Sequence, residues 1–214
     1  MKQFTNILFN LGYFLVLTMT AIALLFLSGQ ILISHTYIPL HIAEGVNFVA
    51  NPWYFYPLLI LFLFALFGLR PLLEKIKIPY LLVGLSLLYI VAAFFLITSY
   101  SGIIRADAKH VFNAALAFNQ GDYSSLTTVG SYMYRNPHQL GLMTLERLYA
   151  YISPTTRFAF GMNVIWSLLS NFLIYKITAL LNRKEIIQKY TILLTFLFLP
   201  QLFFVLFIYG TIPG

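Results

Sequence analysis

Five apolar stretches, each near the length of a membrane-crossing helix, constrain this chain more than any other feature. A bilayer core of roughly 30 Å is crossed by about 20 consecutive apolar residues in a helix. Leu11–Ile33, Trp53–Leu69, Tyr80–Thr98, Phe158–Tyr175 and Tyr190–Tyr209 meet that requirement. Pro57, near the start of the second stretch, is tolerated there because the first turn leaves its N–H groups unbonded anyway. The first stretch is too long for a signal-peptide core, and no small-residue cleavage site follows it. Charged residues make up 9% of the chain, against roughly 25% in soluble domains. So little charge cannot cover a water-facing surface. The expected fold class is all-α: a polytopic transmembrane helix bundle of about five spans, with two amphipathic juxtamembrane helices in a long external loop.

A net charge of +7 raises nucleic acid as a partner, but the cations flank apolar segments rather than forming a basic stripe. No nucleic-acid partner is expected. The same cations orient the chain. With the N-terminus in the cytoplasm, that side holds Lys2, Arg70, Lys75, Lys77, Lys176, Arg183, Lys184 and Lys189. The opposite side holds Arg105, Lys109, Arg135, Arg147 and Arg157, and its short connection Ser34–Pro52 has no Lys or Arg. Short, cation-dense connections stay in the cytoplasm, so this orientation is favoured in the cell membrane. Residues 1–79 then form a two-span hairpin and 80–214 a second module, with the long loop of about 99–157 external. Cysteine is absent, which removes disulfides, thiolate nucleophiles and Cys-based zinc sites.

That loop is the one polar segment. It carries Asp107, Asp122 and Glu146 of the six acidic residues, and His110 and His138 of the four histidines. Connections this long are usually functional or disordered, and its aliphatic and aromatic content argues against disorder. From Arg105 to Asn119, Ile104, Val111, Ala115 and Phe118 recur at roughly helical spacing. A second helix is expected over Pro137–Ile152, with Asn136 as N-cap, Pro137 at the first helical position and Gln139 completing an approximate capping box. Its apolar stripe reads Leu142, Leu145, Tyr149, Ile152, with Glu146 and Arg147 on the solvated face. Gln120-Gly121-Asp122-Tyr123 reads as the turn between the two helices. Both are expected to lie along the membrane surface as a polar-faced roof.

Within this roof Asp107 is the sharpest candidate: a carboxylate close to the outer end of the third span, suited to act as a general base at the interface. The competing reading is a first-turn acid that complements the helix dipole. His110 shares its helical face and would orient it or bind an anion. Asp122 sits in ordinary turn chemistry. His138 and Gln139 follow a proline at a helix N-terminus, where free N–H groups welcome an anion such as phosphate. His35, His41 and Glu44 in the first external loop fit no metal motif. There is no DxD, HExxH, P-loop or GxSxG, so no metal site, nucleotide site or cofactor is expected. No Asp, Glu, Lys or Arg falls at mid-span, which counts against an ion-coupled transporter or a lipid flippase.

The loop also carries a family resemblance. Arg105-Ala106-Asp107 through Val111, Ala114-Ala115 and Phe118 come first. Gly121-Asp122-Tyr123-Ser124-Ser125-Leu126 and Tyr134-Arg135-Asn136-Pro137-His138-Gln139-Leu140-Gly141 follow. Together these runs resemble the first external loop of the GT-C superfamily, in particular bacterial membrane glycosyltransferases of the protein mannosyltransferase-like kind. The closing Tyr209-Gly210-Thr211-Ile212-Pro213-Gly214 is similar to a segment those proteins carry at the outer end of a later span. The resemblance covers roughly residues 80–214, and its most specific part is the Pro-His-Gln-Leu-Gly run.

The resemblance implies transfer of a sugar from a polyprenyl-phosphate donor to an external acceptor with inversion at the anomeric carbon. Asp107 takes the role of general base, and Arg105, Lys109, Arg135 and His138 become the cations that neutralise the leaving phosphate. Family members have more spans and often a soluble C-terminal domain. The chain is therefore expected to be an amino-terminal fragment of such an enzyme, a truncated gene product, or one half of a split enzyme whose partner chain supplies the missing spans. Its partners are then the polyprenyl-phosphate-sugar lipid and membrane lipids. The class-different alternative is a non-catalytic five-span accessory or scaffold protein of envelope assembly.

Overall fold

A computed structural model describes residues 2–37, 47–104 and 106–208. The helices dominate, and among the described residues four are long and apolar enough to cross a membrane. These are Phe9–Ile33, Phe55–Lys75, Ile78–Ser99 and Thr156–Leu181. The chain is a polytopic, nearly all-helical membrane protein. It divides into two compact units, Met1–Gly68 and Leu69–Gly214.

The first unit begins with α1 (Lys2–Ile33) and ends with α2 (Phe55–Gly68). Between them the expected plain connection contains an antiparallel pair, β1 (Ser34–Tyr37) and β2 (Asn47–Ala50), in register from Ser34 opposite Ala50 to Tyr37 opposite Asn47. The pair closes the end of α1. A helix leaves its last carbonyls unbonded, and here the backbone N–H of Asn51 donates to Ile33 O at 3.1 Å. The Asn51 amide donates to Ile31 O at 2.7 Å, and the Tyr56 hydroxyl to Leu32 O at 3.1 Å. His35 is exposed beside this closure; His41 and Glu44 lie outside the described residues.

The second unit opens with α3 (Arg70–Lys75) and α4 (Ile78–Ser99), each with a proline in its first turn. The polar segment follows as α5 (Ala106–Asn119), the short turns α6 (Ser124–Thr127) and α7 (Tyr132–Arg135), a 3-10 turn at Pro137–Gln139, and α8 (Leu140–Ile152). Last come α9 (Thr156–Leu181), α10 (Glu185–Phe196) and α11 (Leu199–Phe204). The expected fifth span, Tyr190–Tyr209, is therefore two helices rather than one, and Tyr209 lies outside the described residues. Pro200 is the cause. Its ring clashes with the carbonyl four residues back, and it has no N–H to donate, so α10 stops and a new first turn begins around it.

Breaking a helix inside an apolar bundle frees backbone groups that lipid cannot satisfy. α9 supplies the remedy from a polar stripe at every fourth position, Asn163, Ser167 and Asn171, all buried. The Asn163 amide donates to Val205 O at 3.0 Å and Phe207 O at 2.9 Å, just beyond α11. Gln201 of α11 donates to Ser167 O at 3.3 Å, and Tyr89 of α4 to Gln201 O at 3.3 Å. Around these bonds pack Tyr89, Ala93, Val164 and Val205. Lys189 of α10 ties that helix to α3: it donates to Glu74 O at 3.3 Å and pairs with Glu185 at 3.3 Å.

The expected helix from Arg105 to Asn119 is present as α5, with Val111, Ala115 and Phe118 buried; Arg105 itself lies outside the described residues. The turn after it is a Schellman closure. Asp122 N donates to Ala117 O at 3.0 Å and Gly121 N to Phe118 O at 3.2 Å, with Gly121 at φ +82°. Only glycine adopts that left-handed conformation without a β-carbon penalty.

The second expected helix differs in two respects. Pro137–Gln139 forms a 3-10 turn, and the Asn136 side chain caps nothing there; its amide reaches back to Tyr132 O at 3.0 Å. The capping box is not formed. The buried face is also rotated. Met143, Glu146, Tyr149 and Ala150 point inward, whereas Leu142 and Leu145 are half-buried and Ile152 is exposed. α5 and α8, the two helices of the expected polar-faced roof, turn their apolar faces toward one another. They bury them against each other, sharing Val111, Ala114, Ala115, Phe118, Met133 and Met143. A neighbouring cluster of Phe112, Tyr149, Ala159, Phe160 and Ile208 fastens the pair to α9. At the outer edge, Asn119 and Arg147 exchange two hydrogen bonds, at 3.0 and 3.1 Å.

Candidate functional site

Asp107 stands exposed in the first turn of α5, and the residues on either side of it open onto two different depressions. Successive helical residues are turned by about 100°. Ala108 therefore lies roughly 100° to one side of Asp107, and His110, three steps on, roughly 60° to the other.

On the Ala108 side is an apolar depression of about 390 Å³, lined by Tyr100, Ile103, Ile104, Ala108 and the stretch Leu206–Ile208. Its wall is the connector between α4 and α5. Gly102 at φ +75° bends that connector so that its carbonyl accepts the Thr156 hydroxyl at 3.0 Å, pinning it to the start of α9. A β-carbon at Gly102 would lie 3.1 Å from that hydroxyl. The Tyr100 hydroxyl donates to Ile103 O at 2.7 Å and tightens the same bend.

On the His110 side is a polar depression of about 400 Å³, bounded by His110, Asn113, Ser124, Ser125, Thr128, Ser131 and Tyr132, with Ala114 and Ala117 as its floor. His110 stacks on Tyr132, ring centres 4.8 Å apart and planes 16° from parallel. The Ser131 hydroxyl donates to Ser125 O and Thr128 O and so braces the α6–α7 wall.

The remaining candidates are dispersed. Lys109 is exposed and lines neither depression. Asp122 accepts the Ser124 N–H at 2.8 Å, and that backbone bond, with the Ser124 side chain second, holds its carboxyl below the ordinary value. It is the capping acid of a turn. Arg135 lays its guanidinium over Gly130, where a β-carbon would meet it at 3.2 Å. His138 is exposed and Gln139 half-buried on the 3-10 turn, and the Gln139 N–H is already bonded to Asn136 O at 3.0 Å. Among the described residues no three His, Asp or Glu side chains converge as a metal-ligand set.

One ionisable residue set aside in the sequence is the most unusual in the structure. Glu146, read as part of a solvated face, is fully buried, and neither carboxyl oxygen has a hydrogen-bond partner. Burial pushes its carboxyl up to about 8. Met143, Glu146 and Ala150 do recur at three- and four-residue steps with Tyr149 nearby, so the signal was there. A competing leucine stripe one step away concealed it. Tyr149, also raised by burial, accepts the Trp166 indole N–H at 2.6 Å. Compared with protein-family models, with curated proteins and with solved structures, the chain gives no match in any of the three.

Proposed function

We propose that the chain is a membrane glycosyltransferase module that takes a sugar from a polyprenyl-phosphate donor, with the N-terminus in the cytoplasm and the 99–157 segment external. The observation that carries this reading is the position of Asp107 between an apolar and a polar depression. A lipid-linked sugar has one part of each character. Its isoprenoid chain fits walls such as Ile103, Ile104 and Phe207, and its hydroxyls and those of an acceptor fit Asn113, Ser124 and Thr128. Asp107 itself lines neither depression; its helix neighbours Ala108 and His110 line one each. In the reaction Asp107 takes the acceptor hydroxyl proton as that oxygen attacks the anomeric carbon from the face opposite the departing phosphate, which inverts the configuration. Holding both substrates at one helix end supplies the orientation. Lys109, His110 and Arg105 are the nearest residues in sequence to balance the phosphate charge.

The test is transfer from a panel of radiolabelled polyprenyl-phosphate sugars in membranes containing the chain, with expression matched. Asp107→Asn should lower transfer by about 100- to 10,000-fold, the usual worth of a general base. Undiminished transfer removes Asp107 from the mechanism. The alternative, a non-catalytic accessory protein of envelope assembly, is favoured by one observation: Asp107, Lys109, Asp122, Arg135, His138 and Gln139 line neither depression. On that reading no donor in the panel is consumed by the wild-type chain.

A further inference from the structure

Glu146 is fully buried, and among the described residues neither carboxyl oxygen has a hydrogen-bond partner. The face that α5 turns inward consists of Ala108, Val111, Phe112, Ala114, Ala115 and Phe118, none of them titratable. Its ionisable residues Asp107, Lys109 and His110 are exposed. From α9, Ala159 and Phe160 are buried, Arg157 is exposed, and Asn163 has spent its amide on Val205 and Phe207. His138, on the 3-10 turn, is exposed. On α8 itself, Arg147 is held away by Asn119, and the Tyr149 hydroxyl, which accepts from Trp166, feels the Glu146 charge but makes no hydrogen bond to it. Among the described residues, then, no cation pairs with Glu146 and no donor reaches either oxygen.

Burying an ion without a partner costs far more than burying a neutral polar group, so such a site selects the protonated acid. We infer that Glu146 is a proton-binding site that latches α8 into the α5–α9 interface, closed while the carboxyl carries its proton and opened when the proton leaves. The step is Glu146–COOH to Glu146–COO⁻ plus a proton released to water, and the anion then demands the hydration that only a parted interface admits. Burial moves the carboxyl from 4.5 to about 8. Because the folded chain holds this proton more tightly than the unfolded chain, stability falls as pH rises from about 4.5 to about 8 and is level above. α5 carries Asp107, so the latch would also regulate the proposed base. That regulatory role rests on the glycosyltransferase reading, whereas the proton site does not.

Trp166, bonded to Tyr149 one turn from Glu146, provides the reporter. The chain has two tryptophans, so Trp53→Phe leaves Trp166 alone. The full chain, reconstituted in vesicles of neutral phospholipid, should show a one-proton change in Trp166 emission centred near pH 8 when titrated between roughly pH 6 and 10. Glu146→Gln keeps the neutral shape at every pH and should hold the acid-side emission throughout. Tyr149→Phe should retain the transition, which separates it from phenol ionisation. If Glu146→Gln fails to fold, infrared difference spectra of the wild type decide the matter. The carbonyl band of a protonated carboxyl should vanish through the same transition and be missing from Glu146→Leu. A transition that persists in Glu146→Gln, or a carboxyl that titrates at its ordinary value, overturns the latch. Sugar transfer abolished by Asp107→Asn with the emission transition intact supports both readings. The transition without any transfer supports the latch and sinks the glycosyltransferase.

Discussion

α5 and α8 are two amphipathic helices of similar length, from the same polar segment, packed on one another, yet they use their acidic residues in opposite ways. α5 keeps Asp107 exposed at its first turn and turns an uninterrupted apolar face inward. α8 does the reverse: its exposed side carries Leu148, Tyr151 and Ile152, and its inward face carries Glu146. On α5 the acid makes no hydrogen bond or ion pair with a described residue. On α8 the acid lies inside the packing, where its protonation state and the fold are one equilibrium. The type of residue is the same; one is exposed and the other is buried without a hydrogen-bond partner among the described residues.

The comparison breaks most severely if the shared core is emptied. Phe118 is buried between the helices and stacks edge-on against Tyr123. Phe118→Ala should cost about 3–5 kcal/mol, read as a large drop in the melting temperature of the detergent-solubilised chain. A small effect would mean that α5 and α8 are held by α9 rather than by each other. Glu146→Leu comes next, with the opposite sign. Replacing an unsatisfied carboxyl by a side chain of similar volume should stabilise by about 1–3 kcal/mol. The gain should be larger at alkaline pH than in acid, because the wild type loses stability between about 4.5 and about 8. A gain independent of pH would show that packing, and not the proton, sets the difference.

The same two helices show what was legible beforehand. Over Arg105–Asn119 only one stripe is apolar, so spacing alone identified both helix and face, and Gly121 marked the turn because no other residue relaxes at its φ. Over Leu140–Ile152, leucines, Met143 and tyrosines populate two adjacent stripes. A helix is certain there but its rotation is not, and the face is settled by contacts with Val111 and Met133 that lie far away in sequence. The fifth span failed for a different reason. Its composition is apolar throughout, and hydropathy is blind to the missing N–H of Pro200, which stops one helix and starts another. The two depressions flanking Asp107 were not legible at all. The apolar one requires the connector bend at Gly102 and the stretch Leu206–Ile208 to meet α5, the polar one requires the α6–α7 turns to fold back on α5, and no local pattern encodes either meeting.

Two smaller effects sharpen the contrast. Asn119 and Arg147 exchange their two hydrogen bonds at the exposed edge of the pair. Asn119→Ala should cost about 0.5–1.5 kcal/mol, measured by the same thermal unfolding. No change would mean that water replaces both bonds without loss.

The smallest effect on stability belongs to Asp107. It is exposed, with no hydrogen bond or ion pair to a described residue, and its first-turn position offers only the few tenths of a kcal/mol of a helix-dipole contact. Asp107→Asn should therefore shift unfolding by no more than about 0.5 kcal/mol, while sugar transfer falls by orders of magnitude. The two measurements on one variant separate the readings cleanly. Loss of transfer with stability kept marks a chemical role. Loss of both marks a cap whose removal unravels the start of α5 and the wall of the apolar depression with it. Comparison with Glu146→Gln completes the logic: that residue should leave catalytic competence in place at neutral pH and remove only its decline toward pH 8, since an amide can act as the closed latch but cannot release a proton.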